Sequence, residues 1–230
     1  MSRPAQHSGK CPGPRQGGAM MRLFMVAAVL AIGAEAPVSA APDNLERYVA
    51  CLTESRPAVV RQLLQASSAA AANLSFHALA DDSRCFSRVF PSGEFRPEDV
   101  SFSQDLLRGR LAEHALLAQS SAALALPALP LQQKRYLRSW FATTGRNPAV
   151  DEMGACMADT DPSQIIALIK TDPGSDDETA AFGALSPNLT KCLSAGTRLD
   201  AGRQALRAAL ADALYQRLTN PSLSLAGTAH

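Results

Sequence analysis

The sequence predicts an all-α protein: two tandem pseudo-repeats of about four short helices each, packed on a shared core and stapled by disulfides. Three observations carry this. Alanine and leucine dominate, aromatic residues make up only 5% of the chain, and no run alternates apolar and polar over the length of a strand. One register of roughly one hundred residues lays Cys51 on Cys156, Pro57 on Pro162, Phe76-His77-Ala78-Leu79 on Phe182-Gly183-Ala184-Leu185, and Cys85 on Cys192. Further on, Leu107-Arg108-Gly109-Arg110-Leu111-Ala112-Glu113 lies on Leu206-Arg207-Ala208-Ala209-Leu210-Ala211-Asp212, and each copy holds one pair of cysteines at nearly equal spacing.

The elements follow in chain order. Residues 1–19, rich in Pro, Gly and Ser without helical period, read as an extension ahead of the true start at Met20 or Met21, and Cys11 goes with it. Residues 20–40 read as a signal peptide: Met21-Arg22 is the basic start and Leu23 to Gly33 the apolar run. Val38-Ser39-Ala40 is a small-residue site with cleavage before Ala41. The run is too short for the roughly twenty residues that cross a bilayer, and Glu35 and Pro37 interrupt it.

The first repeat spans 41–118. Leu45, Tyr48, Val49 and Leu52 fall at i, i+3, i+4, i+7 and predict its first helix, with Cys51 near the end. Pro57 opens a second helix whose apolar face is Val59, Val60, Leu63 and Leu64. Phe76 begins a third helical region leading to Cys85. Pro91 to Pro97, with two prolines and a glycine, is a surface loop. Leu107, Leu111 and Ala115 stripe the last helix, capped by Ser101 or Ser103.

Residues 119–147 are a connector, with one further helix expected over Leu131 to Thr143. The second repeat, 148–219, echoes the first. Val150, Met153 and Met157 stripe its first helix; Asp161-Pro162 caps and starts the second; Ile165, Leu168 and Ile169 form its face. Ser186-Pro187 looks like a fresh cap and restart within the third region, and Asp200 caps a last helix striped by Leu206, Leu210 and Leu214. Residues 220–230 form a tail.

From Ala41 onward there are eighteen Lys+Arg against twenty Asp+Glu, so nucleic-acid binding, which needs a basic excess, is not expected. No stretch of the mature chain is apolar enough for a membrane span. Four cysteines in an exported chain predict two disulfides. The duplication favours Cys51–Cys85 with Cys156–Cys192; 51–156 with 85–192 is equally symmetric. The close C-x-x-C pairs of a zinc site are absent.

Other candidates each face a plainer reading. His77 and Asp81 stand one helical turn apart and could hold half a metal site completed by Asp82, Glu113 or His114; the second copy has Gly183 in place of His77, so a local helix pair is favoured. Asp172 to Glu178 is acidic but lacks the alternation of a calcium loop, and reads as a linker supplying N-cap acids. Lys134 to Phe141 mixes basic and aromatic residues around the single Trp; Tyr136, Trp140 and Phe141 are a possible interface, or else an apolar face plugging the seam between copies. Arg108 and Arg207 occupy aligned places, each followed five residues on by an acid, Glu113 or Asp212; the plain expectation is exposed charge. No Gly-x-Ser-x-Gly, Ser-x-x-Lys or His-Glu-x-x-His motif is present.

The Ala50-Cys51-Leu52 and Ala155-Cys156-Met157 segments and the Leu-Arg-x-x-Leu-Ala-[Glu/Asp] helices resemble those of uncharacterised small exported helical proteins of high-GC Gram-negative bacteria, a resemblance that implies no activity. The expectation is a periplasmic or secreted, non-enzymatic protein that recruits a peptide or protein between its copies, with no cofactor and no metal. The alternatives are a hydrolase whose site assembles only in the fold, and a structural or stress-protective periplasmic protein.

Overall fold

Ten α-helices and one 3₁₀ turn make up the regular structure of the described residues, and there is no strand among them. The computed structural model describes residues 44–90, 103–132, 136–193 and 201–220, all within one compact unit, Ser39–His230. The expected extension, signal peptide, Pro91–Pro97 loop and most of the tail lie outside the described residues.

Helix α1 (Asn44–Ser55) buries Leu45, Tyr48, Val49 and Leu52. The Tyr48 hydroxyl donates to the carbonyls of Leu79 (2.6 Å) and Ala80 (3.1 Å), closing the C-terminal end of α3 (Ala69–Ala80). Burial, with Asp82 nearby, pushes the Tyr48 phenol up to about 12, so it stays a donor at any physiological pH. Helix α2 (Pro57–Leu64) has Pro57 in its first turn, where no N–H is needed, and buries Val60, Leu63 and Leu64. Asp82 caps α4 (Ser83–Val89) by accepting from the Cys85 amide at 3.0 Å. Helix α5 (Gln104–Leu117) follows Ser103, and a short α6 (Ser121–Leu124) opens the connector.

The expected helix over Leu131 to Thr143 does not appear in the described residues of that span, 131–132 and 136–143. Their one regular element is a 3₁₀ turn, Ser139–Thr143. The described residues beside it engage their backbone otherwise: the Tyr136 amide donates to Glu152 Oε1 at 3.1 Å, the Gln132 amide donates to the Tyr136 hydroxyl at 2.8 Å, and Arg138 is extended. With these two amides engaged elsewhere, neither joins a helical ladder.

Helix α7 (Pro148–Thr160) is capped by Asn147, which accepts from the Ala149 amide at 3.0 Å. Helix α8 (Pro162–Ile169) starts at its proline, but the Asp161 side chain does not cap it; it accepts instead from Asn188 Nδ2 at 2.6 Å. Helix α9 (Asp176–Cys192) runs straight through Pro187, so the expected restart at Ser186-Pro187 does not occur. Both ends of α9 are anchored, by Ser175 accepting from the Glu178 amide (3.1 Å) and by Cys192. That anchoring outweighs the one ladder bond the proline removes. In the first half the corresponding region is broken into α3 and α4 at Asp81-Asp82. Helix α10 (Arg203–Thr219) follows Gly202 in place of the expected Asp200, which lies outside the described residues.

Two disulfides close this arrangement. Cys51–Cys85 joins α1 to α4, and Cys156–Cys192 joins α7 to the end of α9, each with Cα atoms 5.6 Å apart. The buried apolar residues form one continuous core in which Leu52, Leu63 and Leu111 from the first half meet Ile165, Leu210 and Leu214 from the second. Helix α10 is its axis, buried at every position from Leu206 to Arg217. No helix of the described residues is long and apolar enough to cross a membrane.

Candidate functional site

The charged residues of the LRxxLA segments set the geometry of the molecule's centre. Helices α5 and α10 pack against each other more extensively than any other pair. Two ion pairs tie them. Arg108 Nε meets Asp212 Oδ2 at 2.8 Å, and Arg207 Nη2 meets Glu113 Oε1 at 2.6 Å. Because the earlier residue of α5 pairs with the later one of α10, the helices run antiparallel. Where they touch, a Cβ on Gly109 would overlap the Cβ, Cα and carbonyl oxygen of Ala208. Glycine there permits an approach that any side chain would forbid.

Each arginine also closes a helix end. Arg108 Nη1 and Nη2 donate to the carbonyls of Leu63 (2.6 Å) and Leu64 (2.9 Å), the last residues of α2. Arg207 Nη2 donates to the carbonyls of Ile169 (3.1 Å) and Thr171 (2.8 Å) at the end of α8. Helix C-termini leave carbonyls without partners and carry partial negative charge, which a guanidinium answers on both counts.

The network extends outward. Glu178 accepts from Arg207 Nη1 (2.9 Å) and from the Gly174 amide (2.9 Å), so the acidic run supplies a buried anion and the first turn of α9. Arg146, before α7, donates from Nη1 to Asp212 (2.9 Å) and Asp151 (3.1 Å), and the Thr144 hydroxyl donates to Asp151 at 2.6 Å. Arg110 pairs with Glu113 (2.8 Å) and with Glu46. Burial alone would push Asp212 up; the Arg108 and Arg146 guanidiniums outweigh it and hold the carboxyl below its ordinary range. Burial alone would lower Arg207, but Glu113 and Glu178 more than compensate and keep it firmly charged. Asp151 is raised to about 6, because burial outruns the help of Arg146 and Thr144.

The expectation of exposed charge at Arg108, Arg207, Glu113 and Asp212 is therefore overturned: all four are buried. They look like surface residues in the sequence because each is charged. The clue to their burial was that α5 and α10 carry the same Arg-then-acid spacing beside an otherwise apolar stripe.

The other sequence candidates sit as follows. His77 is exposed on α3, while Asp82 is buried with Arg56 at 3.0 Å and Glu113 belongs to the seam. Among the described residues no three His, Cys, Asp or Glu side chains gather as a metal site. Of the possible interface, Tyr136 and Trp140 are buried and Phe141 is partly so, its ring edge-on to Trp140 at 4.6 Å. Leu137 stands 62% exposed beside them.

Two open cavities lie against this frame. One, of about 660 Å³, runs between α2 and α3 and is lined by Arg61, Gln62, Gln65, Ala71 and Leu74 among others. The second, of about 360 Å³, lies between the α2–α3 turn, the 3₁₀ turn and α10, where Ser139, Trp140, Gln216 and Asn220 line it. Gln65, Ala66 and Ser67 line both, so the two adjoin. Of these lining residues only Trp140 stood out in the sequence, because neutral amides and alanines carry no spacing signal. Set against known proteins, the chain matches no family model, no curated protein and no solved structure.

Proposed function

We propose that this chain is an exported, non-enzymatic binding or interaction protein, whose mature part is a duplicated helical module folded back on itself about the α5–α10 seam. The observation that carries this reading is how the seam uses its ionisable groups. Arg108, Arg207, Glu113, Glu178 and Asp212 face one another and the ends of α2, α8 and α9. They act as a frame, and the grooves that a ligand could enter are lined mainly by neutral polar and small side chains, with Arg61, Leu74 and Trp140 among them.

The duplication is supported by reciprocity. Shifting Arg108 and Glu113 of α5 by ninety-nine residues gives Arg207 and Asp212 of α10, so the two cross-pairs exchange with one another, as contacts across a two-fold axis do. Arg108 closes α2 and Arg207 closes α8, which are the aligned second helices. Both disulfides repeat one connection. Export is supported by the same bonds, which persist in oxidising compartments.

Two measurements test this. Full-length chain made in a Gram-negative host should be recovered from the periplasm, beginning near Ala41 and without free thiols; cytoplasmic retention of the uncleaved chain with all five cysteines as titratable thiols would overturn export. The mature protein should be stabilised thermally by members of a panel of peptides, glycans and metabolites, since a ligand of the folded state raises the midpoint. Turnover of ester, peptide or glycoside substrates that survives removal of trace contaminants would overturn the non-enzymatic reading.

A further inference from the structure

We propose that the continuous groove from α2–α3 to Trp140 binds a short extended peptide through its free carboxylate, with Arg61 as the carboxylate's partner. This rests on the binding reading above and names its ligand class.

Among the described residues, Arg61 is the one charged side chain lining either cavity. It is exposed and has no ion-pair partner among the described residues, whereas the arginines of the seam are matched by buried acids. The negative end of α2 does not compete for it: the Leu63 and Leu64 carbonyls already accept from Arg108, and Leu64 accepts also from Gln216 Nε2 at 2.7 Å. A cation left free in a neutral groove selects an anion, and a planar guanidinium fits a carboxylate bidentately.

The remaining lining matches a peptide. Gln62 and Ser67 make no side-chain hydrogen bond among the described residues, and Gln62 offers both a donor and an acceptor, as a peptide main chain requires. Ala58, Ala66 and Ala71 leave room for side chains, and Leu74, 75% exposed at the rim, offers an apolar contact. A saccharide site would need an open aromatic face for stacking. Trp140 shows only 7% of its surface, too little for that, but enough at the second cavity's wall to sense an occupant.

The test uses that tryptophan, the only one in the chain. The mature disulfide-bonded protein is titrated with acetyl-Ala-Ala-Leu-Ala as the free acid, with the same peptide as its C-terminal amide, and with chitotriose. Trp140 fluorescence and calorimetry are read together. The free acid should give a saturable change with Kd of roughly 0.1 mM, and the amide should bind about tenfold more weakly. R61Q should bring acid and amide to equal, weak affinity, R61K should restore part of the preference, and A71F should block both peptides while leaving the melting temperature unchanged. No saturable response into the millimolar range, equal binding of acid and amide to the unaltered protein, or chitotriose binding in place of the peptide would overturn the proposal. Thermal stabilisation by a ligand that leaves Trp140 silent would also overturn it, while sparing the broader binding reading.

Discussion

Arg108 Nε and Asp212 Oδ2 lie 2.8 Å apart across 104 residues of sequence, and neither side chain has any exposed surface. The pair joins the two halves of the chain at the point where a stable core would ordinarily be apolar. Taking two charges out of water is costly, and the compensation here comes from several sides: Arg108 also satisfies two α2 carbonyls, and Asp212 also receives Arg146. Such a pair fixes how the halves dock more than it adds net stability.

The consequence is asymmetric. Removing Asp212 leaves Arg108 buried without its carboxylate and Arg146 with Asp151 alone, whereas removing Arg108 leaves Asp212 still paired with Arg146. D212A should lower the unfolding free energy by about 3–5 kcal/mol, and R108M by clearly less. Urea unfolding of both variants and of the double variant gives the coupling directly; equal losses for the two singles would contradict this ordering.

Gly109 and Gly154 are both helical, and alanine in either place would gain roughly 1 kcal/mol of helix propensity. Packing decides otherwise at Gly109, where the added methyl would overlap Ala208 backbone as well as side chain. At Gly154 the same methyl would meet the Ala209 carbonyl and the Ala213 methyl at 3.3 Å, a contact that small shifts relieve. G109A should therefore be destabilised by more than about 2 kcal/mol, with G154A near neutral. Thermal melts of the two variants side by side provide the check.

Each disulfide closes a loop of about thirty-five residues, and its loss should cost about 3–4 kcal/mol on the chain-entropy account. Their reactivity should differ. Cys85 is fully buried, while Cys192 keeps some exposure and lines an open cavity of about 210 Å³ with Leu129, Thr160 and Lys191. Access limits thiol attack, so mild dithiothreitol followed by alkylation should label Cys156 and Cys192 before Cys51 and Cys85. Peptide mass mapping over time would show the reverse order if burial is not the control.

Much of this was legible in the sequence where one local signal dominates. Proline in the first helical turn marks α2 and α8, apolar stripes mark α1 and α7, and the aligned cysteine pairs anticipate both disulfides. Reading failed where tertiary contacts override local preference. The 131–143 segment has helix-compatible residues, yet Glu152 takes the Tyr136 amide, and the described residues of the segment show a 3₁₀ turn in place of an α-helix. Helix α10 shows an apolar stripe, yet it is buried on every face, because Arg207, Asp212, Gln216 and Arg217 find partners on other helices. A charge whose partner lies about a hundred residues away has no local signature.

The two carboxylates that share Arg146 should give the protein opposite responses to pH in separate windows. Asp151 binds its proton more tightly folded than unfolded, rising from an ordinary 3.8 to about 6 because burial disfavours its charge. Its contribution is complete below the ordinary carboxylate range and is lost as pH rises through 6, so acidification from pH 7 to 5 should stabilise the fold by about 1 kcal/mol. Asp212 is held low by Arg108 and Arg146 against its own burial, so its contribution is present above the ordinary carboxylate range and is lost at more acid pH. Stability should therefore climb from neutral pH to a maximum near pH 4–5 and fall steeply below it, measured as urea midpoints across a pH series. D151N, which keeps the acceptor for Thr144 but cannot titrate, should flatten the rise between pH 7 and 5 and leave the acid fall intact. A wild-type profile already flat over that interval would mean that Arg146 keeps Asp151 ionised in the fold, with the guanidinium outweighing desolvation at this site as it does at Asp212.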